Sequence, residues 1–280
     1  MHVRRLFLLP VFLSLWTVSQ VYAGLDEATS AYEKGAYSEA YKEFKVLADQ
    51  GNAQAQLHLG LMYDLGQGVP RNQAEAMKWY LKAAEQGLDR AELALGLKYA
   101  GGIGIPQDYP QAIRWYRRAA EHGLAEAQSD LGLLYSQGKG VTQDKAEAAR
   151  WYRRAAEQGY AMGQCNLGLM YARGDGVPQD FAEAVEWFRK AAAQGYVKAQ
   201  YNLGVAYEKG DGVTRDLELA YMWFHLVAAQ DDPDAKNRMD ALARQMTPRQ
   251  IAEAQRLAKE WKPTEPPTQD IFPSRRFMGN

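Results

Sequence analysis

Four histidines, one cysteine and one Ser-x-x-Lys tetrapeptide are the groups in this 280-residue chain with the most chemistry to offer. His2, His58, His122 and His225 share none of the spacings that gather ligands around zinc, so no metal site is expected. Cys165 is the single cysteine, which rules out an intramolecular disulfide. Nothing near it in sequence would lower a thiol pKa, so it reads as a small apolar packing residue. Ser136-Gln137-Gly138-Lys139 matches the nucleophile motif of enzymes that react with β-lactams, in which a lysine lies one helical turn from the serine. Gly138 and Gly140 put this copy at a helix end and loop, and neither Ser-Asp-Asn nor Lys-Thr-Gly accompanies it. Gly-x-Ser-x-Gly is absent, and the glycine pairs recur too regularly to be phosphate cradles. No catalytic residue and no cofactor is expected, with β-lactam hydrolysis as the residual enzymatic alternative.

The elements that would position any site repeat. Trp79, Trp115, Trp151, Trp187 and Trp223 are spaced by 36 residues. The same step links Leu59, Leu95, Leu131, Leu167 and Leu203, each followed by glycine, and Tyr63, Tyr99, Tyr135, Tyr171 and Tyr207. The repeats are 53–88, 89–124, 125–160, 161–196 and 197–232, and each holds two helical patterns. Ala55, Leu59 and Tyr63 share one face of the first helix, with Gly60 beside them admitting a close neighbour. That helix ends in a Gly-x-Gly loop such as 66–68. Asn72, Asp108, Asp144, Asp180 and Asp216 open the second helix as N-caps, and an acid or amide three residues on completes a capping-box pattern in four repeats, Leu219 being the exception. Ala76, Trp79, Tyr80, Ala83 and Ala84 then form its apolar stripe. Gly87, Gly123, Gly159 and Gly195 close these helices, and Asp231 stands in the same place where the array stops. A helix pair cannot bury both its faces alone, so stacked neighbours must build the core.

Around the array, 24–52 reads as N-terminal capping helices and 233–262 as C-terminal capping helices, with Thr247-Pro248-Arg249-Gln250 starting the last one. The segment 263–280 has Pro263, Pro266, Pro267 and Pro273 with few apolar residues and is expected to be extended or disordered. At the other end, His2, Arg4 and Arg5 precede an apolar run from Leu6 to Val18 and then Ser19 to Ala23. That order predicts a signal peptide over 1–23, hence an exported chain, periplasmic or secreted, with no membrane span after cleavage. Lys and Arg total 33 against 34 Asp and Glu, for a net charge of -1, which argues against a nucleic-acid partner.

Leu-Gly-x-x-Tyr, the Gly-x-Gly loop, Asp or Asn before the second helix, Ala-x-x-Trp-[Tyr/Phe] and Ala-Ala-x-x-Gly together resemble the Sel1-like repeat, a longer-looped relative of the tetratricopeptide repeat. The resemblance covers 53–232. It implies an all-α fold, a right-handed α-solenoid of stacked helix-turn-helix units whose first helices line a concave groove that binds a protein or peptide.

Columns identical in every repeat are taken up by packing, so a partner is read by columns that vary on the groove side. In the first repeat these are Gln54, Leu57, His58, Leu61, Asp64 and Leu65, with equivalents at each 36-residue step. The last two repeats look most like a binding surface. Asn166 and Asn202 occupy the column in which the related tetratricopeptide groove uses asparagine to hold a peptide backbone. Arg173, Lys198 and Lys209 offer charge-assisted bonds to a carboxylate, and Tyr201 an aromatic anchor. Arg114, Arg117, Arg118, Arg150, Arg153 and Arg154 on second helices alternate with acids such as Glu121 and Glu157 and read as a solvated outer face. The expected function is an exported adaptor or regulator, the alternative being a scaffold in envelope or polysaccharide assembly.

Overall fold

The computed structural model describes residues 24–264. The expected signal peptide, 1–23, and the tail beyond Thr264 lie outside the described residues. All regular structure among the described residues is helical. The chain divides into two compact units after Trp115. The first holds α1 (residues 24–33), α2 (Tyr37–Asp49), α3 (Ala53–Leu65), α4 (Gln73–Glu85) and α5 (Asp89–Gly101). Helix α6 (Tyr109–Glu121) contains the division. The second unit holds α7 (Ala125–Gln137), α8 (Lys145–Glu157), α9 (Ala161–Arg173), α10 (Phe181–Ala193), α11 (Val197–Lys209), α12 (Leu217–Ala228), α13 (Pro233–Ala243) and α14 (Pro248–Glu260).

Consecutive helices pack on one another from α2 to α5 and from α7 to α13, and α12 packs against both α13 and α14. The expected N-caps form. Asn72, Asp108, Asp144, Asp180 and Asp216 each accept from the backbone N–H three residues on, at 2.9 to 3.1 Å. The acids three residues into these helices do not reach back as a capping box would. Glu147 pairs with Arg150 at 2.8 Å and Glu183 accepts from Trp187 Nε1 at 2.9 Å, because both partners lie within one helical turn ahead of the acid. The reciprocal box forms in α14, where Gln250 Oε1 accepts from the Thr247 N–H at 2.9 Å and Thr247 Oγ1 accepts from the Gln250 N–H at 3.3 Å.

The core is built from rings seated on glycines. Gly60, Gly132, Gly168 and Gly204 on first helices lie directly under Tyr80, Tyr152, Phe188 and Phe224 of the second helices. A Cβ added at Gly168 would lie 2.7 Å from Phe188 Cε1 and 3.0 Å from the Ala184 carbonyl oxygen, so the two helices approach only because no side chain intervenes. Alanines such as Ala155, Ala156, Ala191 and Ala192 keep the contact with the following repeat equally close. The Gly-x-Gly loops join one repeat to the one before. Gly174 ends α9 in the left-handed conformation, and Gly176 presses against the backbone of Lys145 and Ala146 at the start of α8.

A glutamine ladder adds a polar tie that the repeat pattern did not reveal. Gln164 is buried; its amide donates to the Ala156 carbonyl at 3.2 Å and its Oε1 accepts from Gln194 at 2.9 Å. Gln128 does the same with Ala120 and Gln158, and Gln56 with Ala48 and Gln86. Each pair satisfies a carbonyl at a second-helix end that would otherwise be lost from water.

Helix α13 keeps the 36-residue register of the repeats. Asp231 takes the left-handed conformation of Gly195, φ 64°, and Asp232 takes the N-cap place of Tyr196, accepting from the Ala235 N–H at 2.8 Å. Ala235 is as fully buried as Ala199. The segment expected only as a cap therefore supplies another first helix, while α14 follows after a shorter connection.

Replacing Gly168 with alanine should destabilise the protein by roughly 2 kcal/mol, the usual scale for overpacking a core that cannot relax. Urea unfolding followed by circular dichroism measures this, and an unchanged midpoint would refute the seat as a constraint.

Candidate protein-binding face

The first helices of the second unit, α7, α9, α11 and α13, lie side by side. Asn202 Nδ2 on α11 donates to Cys165 Sγ on α9 at 3.7 Å, and Arg238 on α13 reaches two residues of α11. Residues at 36-residue steps are therefore neighbours across the face. One column reads Asp130, Asn166, Asn202 and Arg238; the next reads Leu133, Leu169, Val205 and Ala241.

Both asparagines are half-buried, and Asn166 makes no hydrogen bond with any described residue. Leu133 is 39% exposed, while Leu169 and Val205 are half-buried, so an accessible apolar stripe runs beside the amides. Arg173, Lys198 and Lys209 are exposed at the ends of α9 and α11, and none forms an ion pair with a described residue. Tyr201 is less open than an anchor read from sequence would be. Its hydroxyl accepts from Arg238 Nε at 2.9 Å, and its ring meets Phe224 edge-on at 5.5 Å between centroids. The second arm of Arg238 holds Glu208 Oε2 at 2.5 Å. Tyr201, Glu208, Asp234, Asn237, Arg238 and Ala241 line a cavity of about 400 Å³ between α11 and α13. Arg238 was not singled out from sequence; the signal was there in its 36-residue step from Asn202.

In the first unit the corresponding columns are closed. Leu57, Leu61 and Asp64, read from sequence as groove residues, are buried at 2%, 4% and 9% exposure. Asp64 accepts from Gln73 Nε2 at 2.8 Å, from Tyr80 OH at 3.4 Å and from Lys98 Nζ. Burial pulls the Lys98 ammonium below its ordinary pKa, against the Asp64 carboxylate that holds it up. Paired and desolvated together, these groups are structural rather than available to a ligand. His58, in the asparagine column, stacks on Phe44 at 4.5 Å between centroids. Burial, helped by the charge of Arg90, lowers its pKa to about 4.

The remaining candidates resolve as packing. Cys165 is 1% exposed, and burial pushes its thiol up to about 12 against the opposing effects of Asn202 and Lys198. Ser136 Oγ donates to the Leu133 carbonyl at 3.1 Å at the end of α7, and Lys139 follows the left-handed Gly138, so the pair does not share a helical turn. The outer cations serve the solenoid itself. Arg117, Arg153 and Arg189 bond the hydroxyls of Tyr135, Tyr171 and Tyr207, while Arg154 and Lys190 lie over Trp151 and Trp187 at 4.6 and 4.0 Å. Among the described residues no three His, Cys, Asp or Glu side chains gather into a metal site, and no helix is long and apolar enough to cross a membrane.

The Sel1 repeat family model matches 53–88, 89–124, 125–160, 161–196 and 197–232. The chain belongs to the Sel1 repeat family. A Sel1 repeat protein from Oxalobacter formigenes is similar at 33% identity and a TM-score of 0.74, over 87% of this chain and 99% of that one. The structure of c5321, a protective antigen of uropathogenic Escherichia coli strains with the same repeat fold, is 27% identical with a TM-score of 0.56. That likeness covers 86% of this chain and 60% of the antigen. No curated protein matches. Sel1 repeats, as tetratricopeptide-like solenoids, generally mediate protein–protein interaction. The family is typically non-catalytic.

Two outcomes follow from these environments. Cys165 should resist a thiol reagent such as dithionitrobenzoate in the native protein and react fully in denaturant; rapid native labelling would contradict its burial. His58 should make stability fall with acid. The unfolded residue takes a proton below about 6.5 and the folded one only near 4, so stability should drop as pH falls from 6.5 to 4. The slope should reach at most about 1.4 kcal/mol per pH unit. Urea titrations of the parent and of His58→Phe across that range test it, the variant being expected to lose this part of the slope.

Proposed function

We propose that this Sel1 repeat protein is an exported, non-catalytic interaction module, an adaptor or regulator that holds an extended segment of another protein against the face formed by α7, α9, α11 and α13. The observation that carries the reading is the pair Asn166 and Asn202 beside the accessible stripe Leu133, Leu169 and Val205. An extended segment has unpaired N–H and C=O groups on its edges, and a carboxamide offers both a donor and an acceptor to meet them. Aliphatic side chains alternate along such a segment and fit a stripe one residue wide. Arg173, Lys198 and Lys209 supply charge around that line without spending it on internal pairs.

Export rests on the basic start at Arg4 and Arg5, the apolar run from Leu6 to Val18 and the small residues before position 24. It makes the periplasm or the exterior the compartment of action. A scaffold for an anionic envelope polymer is favoured less, because the outer arginines that such a polymer would meet already bond tyrosines or cover tryptophans. The place of Ser136 and Lys139 on either side of a helix end speaks against β-lactam hydrolysis.

In cells, a photoreactive residue at Leu133 should capture a discrete protein that the same residue at the exposed outer Arg150 does not. The capture should fall at least fivefold when Asn166→Ala and Asn202→Ala are combined, with helical circular dichroism unchanged. Capture from Arg150 alone, or capture indifferent to the asparagines, would remove the site from this face.

A further inference from the structure

The asparagine column does not end with the fifth repeat. Because α13 keeps the 36-residue register, Arg238 lies where Asn166 and Asn202 lie on the two preceding first helices. A guanidinium at that point changes what the column can read. Its orientation is set from two sides, by the Tyr201 hydroxyl at 2.9 Å and by Glu208, and it lies 5.6 Å and 5.7 Å from the centroids of Tyr201 and Phe224. Those bonds engage Nε and one terminal nitrogen. Arg carries five N–H donors in a rigid fork, so others remain, at the edge of the cavity of about 400 Å³ between α11 and α13.

The charges around that end are unequal. Arg238, Lys198, Lys209 and Arg173 stand on the face of α9, α11 and α13, against Glu208, which Arg238 already holds, and Asp234, one turn before it on α13. At the opposite end the column carries the acid Asp130 on α7. Neighbouring first helices about 8–10 Å apart place Arg238 about 16–20 Å from Asn166. An extended chain covers that in five or six residues at about 3.3 Å each.

We propose that Arg238 is the specificity-determining residue of this face: the bound segment is an extended peptide whose acidic side chain takes the fork of Arg238 while Asn166 and Asn202 hold its backbone. This rests on the reading of the face as a peptide site. Glu208 is then an internal competitor that keeps the fork oriented until a partner carboxylate arrives, and its removal should help binding rather than harm it.

The test is selection of displayed random nonapeptides on the full chain, followed by fluorescence anisotropy with the enriched peptide, amidated so that only side chains carry negative charge. Enriched peptides should carry an acidic residue, and replacing it with its amide should weaken binding at least tenfold. Arg238→Gln should weaken the acidic peptide equally and leave its amide counterpart unchanged, whereas Glu208→Gln should tighten the acidic peptide severalfold. A merely structural role for Arg238 predicts that both variants weaken every peptide alike, and that result overturns the proposal. Enriched peptides without acids, lost on combining Asn166→Ala and Asn202→Ala but not in Arg238→Gln, would also overturn it while leaving the peptide face intact. No enrichment, or binding indifferent to all these variants, would overturn both readings.

Discussion

The seating of a second-helix ring on a first-helix glycine is the constraint from which the rest of each unit follows. Phe188 over Gly168 and Phe224 over Gly204 bring the backbones of a helix pair together as no pair with a side chain between them can. Once that separation is set, the alanines on the far side of the second helix set the distance to the next repeat, and the loop glycines fit the space that is left. The result is a register in which every 36th residue finds the same environment. Interaction residues can then be arranged in columns, because the backbone beneath them is nearly constant.

Polar groups follow the same logic. Where the ring is Tyr80, the preceding helix supplies an oxygen for its hydroxyl, the Asp64 carboxylate at 3.4 Å. Where the ring is Phe188, the equivalent position is Ala172, and no hydroxyl needs a partner. The glutamine ladder and the arginine–tyrosine bonds likewise spend their polarity inside the array. A buried donor or acceptor left unmatched costs about 1–3 kcal/mol, which is what these internal bonds avoid. What remains after this matching is the natural place to look for recognition, and in the second unit it is the asparagine column with its apolar neighbour.

The two units differ in what their first-helix faces expose although their repeats share one pattern. In the first, an acid, a lysine and a glutamine meet in positions that hold apolar or exposed residues elsewhere, and the meeting seals the face. In the second, the corresponding places are Ala172 and Met170 around α9, and the stripe beside them stays accessible. A few columns thus decide which part of the first-helix face is open and which is sealed, without a change of fold.

The helices, their caps, the repeat boundaries and the ring-and-alanine core were all legible in the sequence, because each depends on contacts within one or two turns or on a pattern repeated five times. Asn166, Asn202, Arg173, Lys198 and Lys209 could be picked out only as candidates, as variation against that constant background. Tertiary structure alone decided which of the candidate columns remain open. Asp64 reads as a solvated acid until Lys98 and Gln73 fold against it, and Tyr201 reads as a free ring until Arg238 arrives from a helix outside the array. All three partners come from at least nine residues away, and burial is a property of everything that surrounds a side chain at once. Local periodicity specifies the helix on which a residue sits; only the packed neighbours determine whether water, a partner or the protein itself meets it.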